Sequence, residues 1–255
     1  MKYLFYGIAS WVLVPAALFL GIRLRARTPR LVPPGGRPFG QIGSSGQPRY
    51  SLLVIGDSSA AGVGADHVEE TLGCQIAQHL HTKTGSTVAW RNAGSNSAIS
   101  EQLRDHVVPN LERLPYSHVV LAVGTNDMKN FLTAKRFKRG FGGLLYAVKA
   151  RWPEAQIIWS PMIDMRTVPA FPSLLATIME MRGRIINRVG QQLCRERYAL
   201  AAPQLDSSNP AGFSVDGFHA SAAGYEYWAE LLARTILEND AAASEPAPEK
   251  TRAAE

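Results

Sequence analysis

The run SHVVLAVG at 117–124 is apolar on nearly every residue after its histidine. A strand with one wet face alternates in polarity. A strand that is apolar throughout must be covered on both sides. SLLVIG (51–56) and AQIIWSP (155–161) share that character, and STVAWRNAG (86–94) and YALAAP (198–203) complete five strand candidates. Helical patterns lie between them at about 67–82, 98–113, 132–151 and 172–196, with a last one at 221–239. Strands alternating with amphipathic helices predict an α/β fold, a three-layer α/β/α sandwich around a five-stranded parallel sheet. In such sheets ligands gather at the carboxyl ends of the strands.

A chain of 255 residues is one ordinary domain with an appendage. Hydrophobic residues at 46% and charged residues at 19% exclude a disordered chain, a collagen-like fibre and a coiled coil. The two cysteines, Cys74 and Cys194, are too few for a disulfide scaffold or a zinc site built from paired thiols. The net charge of +6 suggests nucleic acid until it is located. Residues 1–49 hold seven Lys/Arg and no acid, whereas residues 50–255 hold 20 Lys/Arg against 21 Asp/Glu. The body is nearly neutral, so a basic stripe for nucleic acid is absent.

Residues 3–22, YLFYGIASWVLVPAALFLGI, carry no charge. As one helix they would span about 30 Å, the thickness of a bilayer's hydrocarbon core. The run is longer than a signal-peptide core and is followed by RLRAR rather than a small-residue cleavage site. Residues 1–24 are therefore expected to form an uncleaved, single-pass N-terminal membrane anchor, with Pro15 accommodated within the helix. Arg23, Arg25, Arg27 and Arg30 beyond it favour a cytoplasmic catalytic domain by the positive-inside bias, over a periplasmic or extracellular one. Residues 25–50, rich in Pro, Gly and Ser after the arginines, read as an extended linker. The folded domain is expected at 51–238 and a disordered Ala/Glu/Pro tail at 239–255.

Polar clusters follow the strands. Gly56-Asp57-Ser58-Ser59 comes after the first, Asn92-Ala93-Gly94 ends the second, and Gly124-Thr125-Asn126-Asp127 follows the third. Asp216-Gly217-Phe218-His219 follows the fifth, just before the last helix. Each alone fits a turn serine, a strand-end glycine, a helix cap or a polar loop. Asp and His three apart on a loop also suit a carboxylate that fixes an imidazole tautomer.

Taken together, IGDSS (55–59), NAG (92–94), GTND (124–127) and DGFHASAAGY (216–225) resemble the SGNH/GDSL hydrolases, a family of serine esterases and lipases. The resemblance covers roughly residues 51–238. It implies a flavodoxin-like winding, with Ser58 as nucleophile, His219 as general base and Asp216 as its orienting carboxylate. It further implies an oxyanion hole formed by the Ser58 N–H, Gly94 and the Asn126 side chain, with no metal or organic cofactor. Ser59 stands where the family often has Leu, which bears on the subfamily and the acyl pocket rather than on the reaction.

Other motifs are missing. There is no G-x-S-x-G, no G-x-x-x-x-G-K-[ST] and no H-E-x-x-H, and Lys83-Thr84-Gly85 lacks the serine that a β-lactamase box would need. His67, His79, His81, His106 and His118 lack a carboxylate at comparable spacing and read as surface or packing residues. Cys74 and Cys194 belong to helices on opposite faces of the expected sheet, which argues against a disulfide.

The expectation is a membrane-anchored serine hydrolase acting on small acyl esters or lipids (esterase, lipase or lysophospholipase-like) through an acyl-enzyme on Ser58. The same triad would equally serve acyl or acetyl transfer to, or deacetylation of, a sugar or lipid, and a non-catalytic binding module is the remaining class. Pocket walls are expected from loops near 61–66, 95–98, 128–131 and 162–172.

Overall fold

The computed structural model describes residues 2–44 and 46–244. Helices α1 (Lys2–Val12) and α2 (Val14–Arg27) come first, then strands β1 (Phe39–Ile42) and β2 (Tyr50–Gly56). Helix α3 (Leu72–Thr84) leads to β3 (Val88–Gly94). A short α4 (Ser100–Gln102) continues as a π-helical turn over Leu103–Val107. Strand β4 (His118–Ala122), α5 (Thr125–Lys129), α6 (Ala134–Arg151), β5 (Gln156–Trp159), α7 (Ser173–Glu196), β6 (Leu200–Ala201) and α8 (Ala222–Ser244) complete the chain.

The strands form a six-stranded sheet in the order β1-β3-β2-β4-β5-β6. The five expected strands are present and mutually parallel, with β2 between β3 and β4. The sixth corrects the expectation. Residues 39–42, read as linker, pair antiparallel with β3, so the sheet is mixed. A short edge strand is held mainly by backbone groups, which a reading based on side-chain pattern misses.

Alternation along the strands splits the core into two layers. Leu53, Ile55, Val119, Leu121, Ile157 and Trp159 face α6 and α7. Leu52, Val54, Val120, Ala122 and Ile158 face α3 and α8. Cys74 and Cys194 are free, buried, and in different layers.

The termini also depart from expectation. A single straight helix over 3–22 does not form; α1 and α2 meet at a 63° bend around Leu13. Pro15 supplies the reason, because it has no N–H for the residue 11 carbonyl and its ring crowds that carbonyl. No single helix among the described residues is long and apolar enough to cross a membrane. At the other end α8 continues to Ser244, through part of the expected tail, and Asp240 lies 3.3 Å from His118 Nε2. The remainder of that tail, 245–255, lies outside the described residues.

Helix α7 crosses the sheet at Gly190, where a Cβ would stand 2.3 Å from the Trp159 ring. Trp159 is fully buried and its Nε1 donates to the Val123 carbonyl at 2.9 Å, so the ring has nowhere to move. Gly190→Ala should destabilise the fold by about 1–3 kcal/mol through overpacking, more than the ~1 kcal/mol gained in helix propensity. The urea midpoint measures this, and an unchanged or raised midpoint would contradict the packing described.

Candidate active site

Strand β2 ends in a tight turn in which Ala61, Gly62 and Val63 donate their N–H groups to the Asp57, Ser59 and Ser58 carbonyls. The turn presents the Ser58 side chain at the carboxyl edge of the sheet. The Ser58 N–H has no acceptor among the described residues. The loop before α8 reaches the same edge. There His219 Nε2 lies 3.1 Å from Ser58 Oγ and Nδ1 lies 2.6 Å from Asp216 Oδ2.

Asp216 is buried and its other oxygen accepts from Ser214 Oγ and from the backbone N–H groups of Phe218 and His219, each at 2.9 Å. Burial alone would raise its pKa. The hydrogen bonds from the His219 ring and from these two N–H groups outweigh it and hold the carboxyl well below the usual range. Asp216 is thus ionised wherever the protein is folded near neutrality. It places a proton on Nδ1 and leaves Nε2 as the acceptor facing Ser58.

Asn126 sits at the start of α5, buried, and lines the same cavity as Ser58. Its amide nitrogen donates to Asp57 Oδ2 and to the Ala98 carbonyl, both at 3.1 Å. Both amide hydrogens are therefore engaged in this structure. Asp57 also accepts from the Ser59 N–H at 3.1 Å. Sequence reasoning gave Asp57 no role, although it is part of the same GDS turn. Its burial raises its pKa, against the hydrogen bond from Ser59 and the nearby Lys129 ammonium.

Gly94 ends β3. Asn92 donates its N–H to Pro38 on the β1 side of β3, and Ser95 donates to Gly56 on the β2 side. Alternate N–H groups of a strand point in opposite directions, so the Gly94 N–H faces β1, away from Ser58. The residue instead makes room. A Cβ there would lie 2.0 Å from the Ala61 nitrogen, within the turn that carries Ser58.

The cavity beside Ser58 and His219 has a volume of about 120 Å³. Met162, Ile163, Met165, Val168, Phe213 and Phe218 give it apolar walls. Trp228 also lines it, donating from Nε1 to Ser160 Oγ at 2.7 Å. Of the four loops expected to build the pocket, only 162–172 contributes; the other lining residues come from the strand ends at 57–59, 122–126 and 160–161, from residues 205–213 and 218–220, and from α8.

These features fit a known family. The model of the GDSL-like lipase/acylhydrolase family matches residues 54–227. The chain belongs to this family. A GDSL-like esterase of Mycobacterium tuberculosis is 24% identical over 189 residues, which are 71% of this chain and 60% of that protein. The chain thus spans about three fifths of the length of that relative. Among solved structures, the psychrotrophic esterase EstA from Pseudoalteromonas superposes with a TM-score of 0.57 at 16% identity, over 75% of this chain and 98% of that one. Est24, a carbohydrate acetylesterase from Sinorhizobium meliloti, does so with a TM-score of 0.56 at 15% identity, over 75% and 100%. At these identities the superpositions show the shared fold.

The GDSL-family chain carries one further buried carboxyl next to its site. Asp127 accepts from the Ser100 N–H and Oγ at 3.1 and 3.0 Å, yet burial pushes its pKa up to about 7. Between pH ~4 and ~7 the unfolded chain has lost this proton while the folded one keeps it, so stability falls as pH rises through that window. The slope is at most roughly 1.4 kcal/mol per unit. Asp127→Asn should flatten the wild-type decline in urea-derived stability between pH 4.5 and 7. An equally steep decline in the variant would remove Asp127 as its source.

Proposed function

We propose that the protein is a serine esterase that hydrolyses carboxylic esters of short acyl chains through an acyl-enzyme on Ser58, held at a membrane by its N-terminal segment. The observation that carries the reading is the continuous path from Ser58 Oγ through His219 to Asp216, at 3.1 and 2.6 Å. Ser58 Oγ attacks the ester carbonyl carbon as His219 Nε2 takes its proton, and Asp216 stabilises the imidazolium. The oxyanion is met by the Ser58 N–H and by the Asn126 amide, which exchanges one of its two present acceptors for it. Collapse expels the alcohol, which receives the proton from His219. Water then attacks the acyl carbonyl, giving its proton to His219, and the acid leaves as Ser58 Oγ is reprotonated.

The cavity supports the acyl preference. An engineered 150 Å³ apolar cavity holds benzene. A cavity of about 120 Å³ suits an acetyl to butyryl group, and a longer chain would have to extend out of it.

A fluorophosphonate should modify Ser58 and not Ser59, and Ser58→Ala should lose turnover by about 10³-fold or more. In a series of p-nitrophenyl esters, kcat/KM should be highest between acetate and butyrate and fall at least tenfold by octanoate. An adduct mapped to Ser59, or a maximum at the long chains, would overturn the assignment or the chain-length reading respectively.

A further inference from the structure

Helices α1 and α2 are apolar on the side that faces outward. Their inner side packs on the body. Ser10 and Ala17 are buried, and Ala17 joins the core layer beneath α6 and α7. The Arg182 guanidinium reaches Ser10 Oγ at 3.4 Å and stands over the rings of Trp11 and Phe131, which meet edge to face. The Arg188 guanidinium sits 4.3 Å over the Tyr3 ring. A surface helix with one face on a core turns polar residues to water. Here Leu4, Phe5, Ile8 and Val12 line the outer face of α1, and Leu18, Phe19 and Ile22 that of α2. Leu4, Val12 and Ile22 are each exposed by 70% or more.

Two observations identify what covers this face. The first is length. Helices of 11 and 14 residues measure about 17 and 21 Å, diverge by 63°, and are each too short for a hydrocarbon core of ~30 Å. The second is charge. The seven basic residues of 1–49 come with no acid, which matches anionic headgroups beside an apolar layer.

We propose that α1 and α2 lie in the plane of an anionic phospholipid bilayer as a bent, monotopic anchor, with the amino terminus and the catalytic body on the same side. This rests on the membrane reading above and replaces the spanning helix expected from sequence with an interfacial one. The anchor also adjoins the cleft. Arg25 lies within electrostatic reach of Lys129, whose ammonium stands 4.9 Å over the ring of Phe218, a wall of the cavity. The cleft is thereby kept near the headgroup layer, where tethering raises the effective concentration of esters that partition there.

Topology decides the question. Both native cysteines are buried, so Lys2→Cys and Tyr198→Cys, each on an exposed residue, report sidedness to a membrane-impermeant maleimide. In sealed membranes from cells expressing the full chain, both sites should label in the same preparation, either intact spheroplasts or inverted vesicles. Labelling in opposite preparations would overturn the in-plane anchor and leave the membrane reading standing. A wild-type chain found wholly in the soluble fraction would overturn both. The triple variant Leu4→Glu/Phe5→Glu/Leu18→Glu should leave the membrane fraction while retaining turnover on a water-soluble ester, and should bind vesicles of phosphatidylcholine and phosphatidylglycerol at least tenfold more weakly than wild type. Retention of that variant in the membrane would count against the proposed face.

Discussion

The Asp216 carboxylate has two oxygens, and four donors converge on them: the His219 ring, two backbone N–H groups and the Ser214 hydroxyl. All four of those donors belong to the loop itself, residues 214–219. The carboxylate thus folds its own loop around it while fixing the ring that the loop carries. One charge does two tasks. If the loop were held by apolar packing alone, the imidazole would be free to rotate; held this way, its orientation and tautomer follow from the same bonds that order the backbone. The desolvation penalty of the buried carboxylate is offset locally, which is why its pKa falls although burial pushes the other way.

The same dependence reaches the sheet. For His219 to meet Ser58, the turn after β2 and the loop before α8 must converge at one edge, and the turn must pack close to the end of β3. Gly94 allows that approach by having no Cβ. The contribution the packing shows is one of space. The direction of a strand N–H is set by the ladder, and the neighbouring bonds, Asn92 to Pro38 and Ser95 to Gly56, turn the Gly94 N–H toward β1.

Most of the fold was legible because its signals are local. Five strands and the helices between them announce themselves in runs of apolar residues, and the residues of the Ser58–His219–Asp216 path stand in two short blocks. What was illegible depends on groups distant in sequence. Strand β1 pairs through its backbone with β3, some fifty residues on, and its own residues show no strand pattern. The extension of α8 coincides with the approach of Asp240 to His118, a contact across 122 positions. The bend at Leu13 was marked by Pro15, but the apolar composition around it also suits a straight span. The pocket walls were largely missed because loops 205–213 and α8 reach the cleft only once the sheet is wound.

Asn126 shows how an engaged donor can still serve the proposed reaction. Its bond to the Ala98 carbonyl joins two neutral groups, worth about 0.5–1.5 kcal/mol net. A bond to a developing oxyanion is charge-assisted and worth about 1.5–3 kcal/mol. In the ground state the ester carbonyl is neutral and offers nothing better than Ala98 does, so the amide has no reason to switch. As negative charge accumulates on the carbonyl oxygen, the exchange becomes favourable, and the gain falls on the transition state rather than on the bound substrate. The second bond, to Asp57, keeps the amide plane in place during that exchange. The buried Asp57 carboxyl, next to Ser58 in the same turn, thereby has a physical task in the proposed reaction: it orients the Asn126 donor.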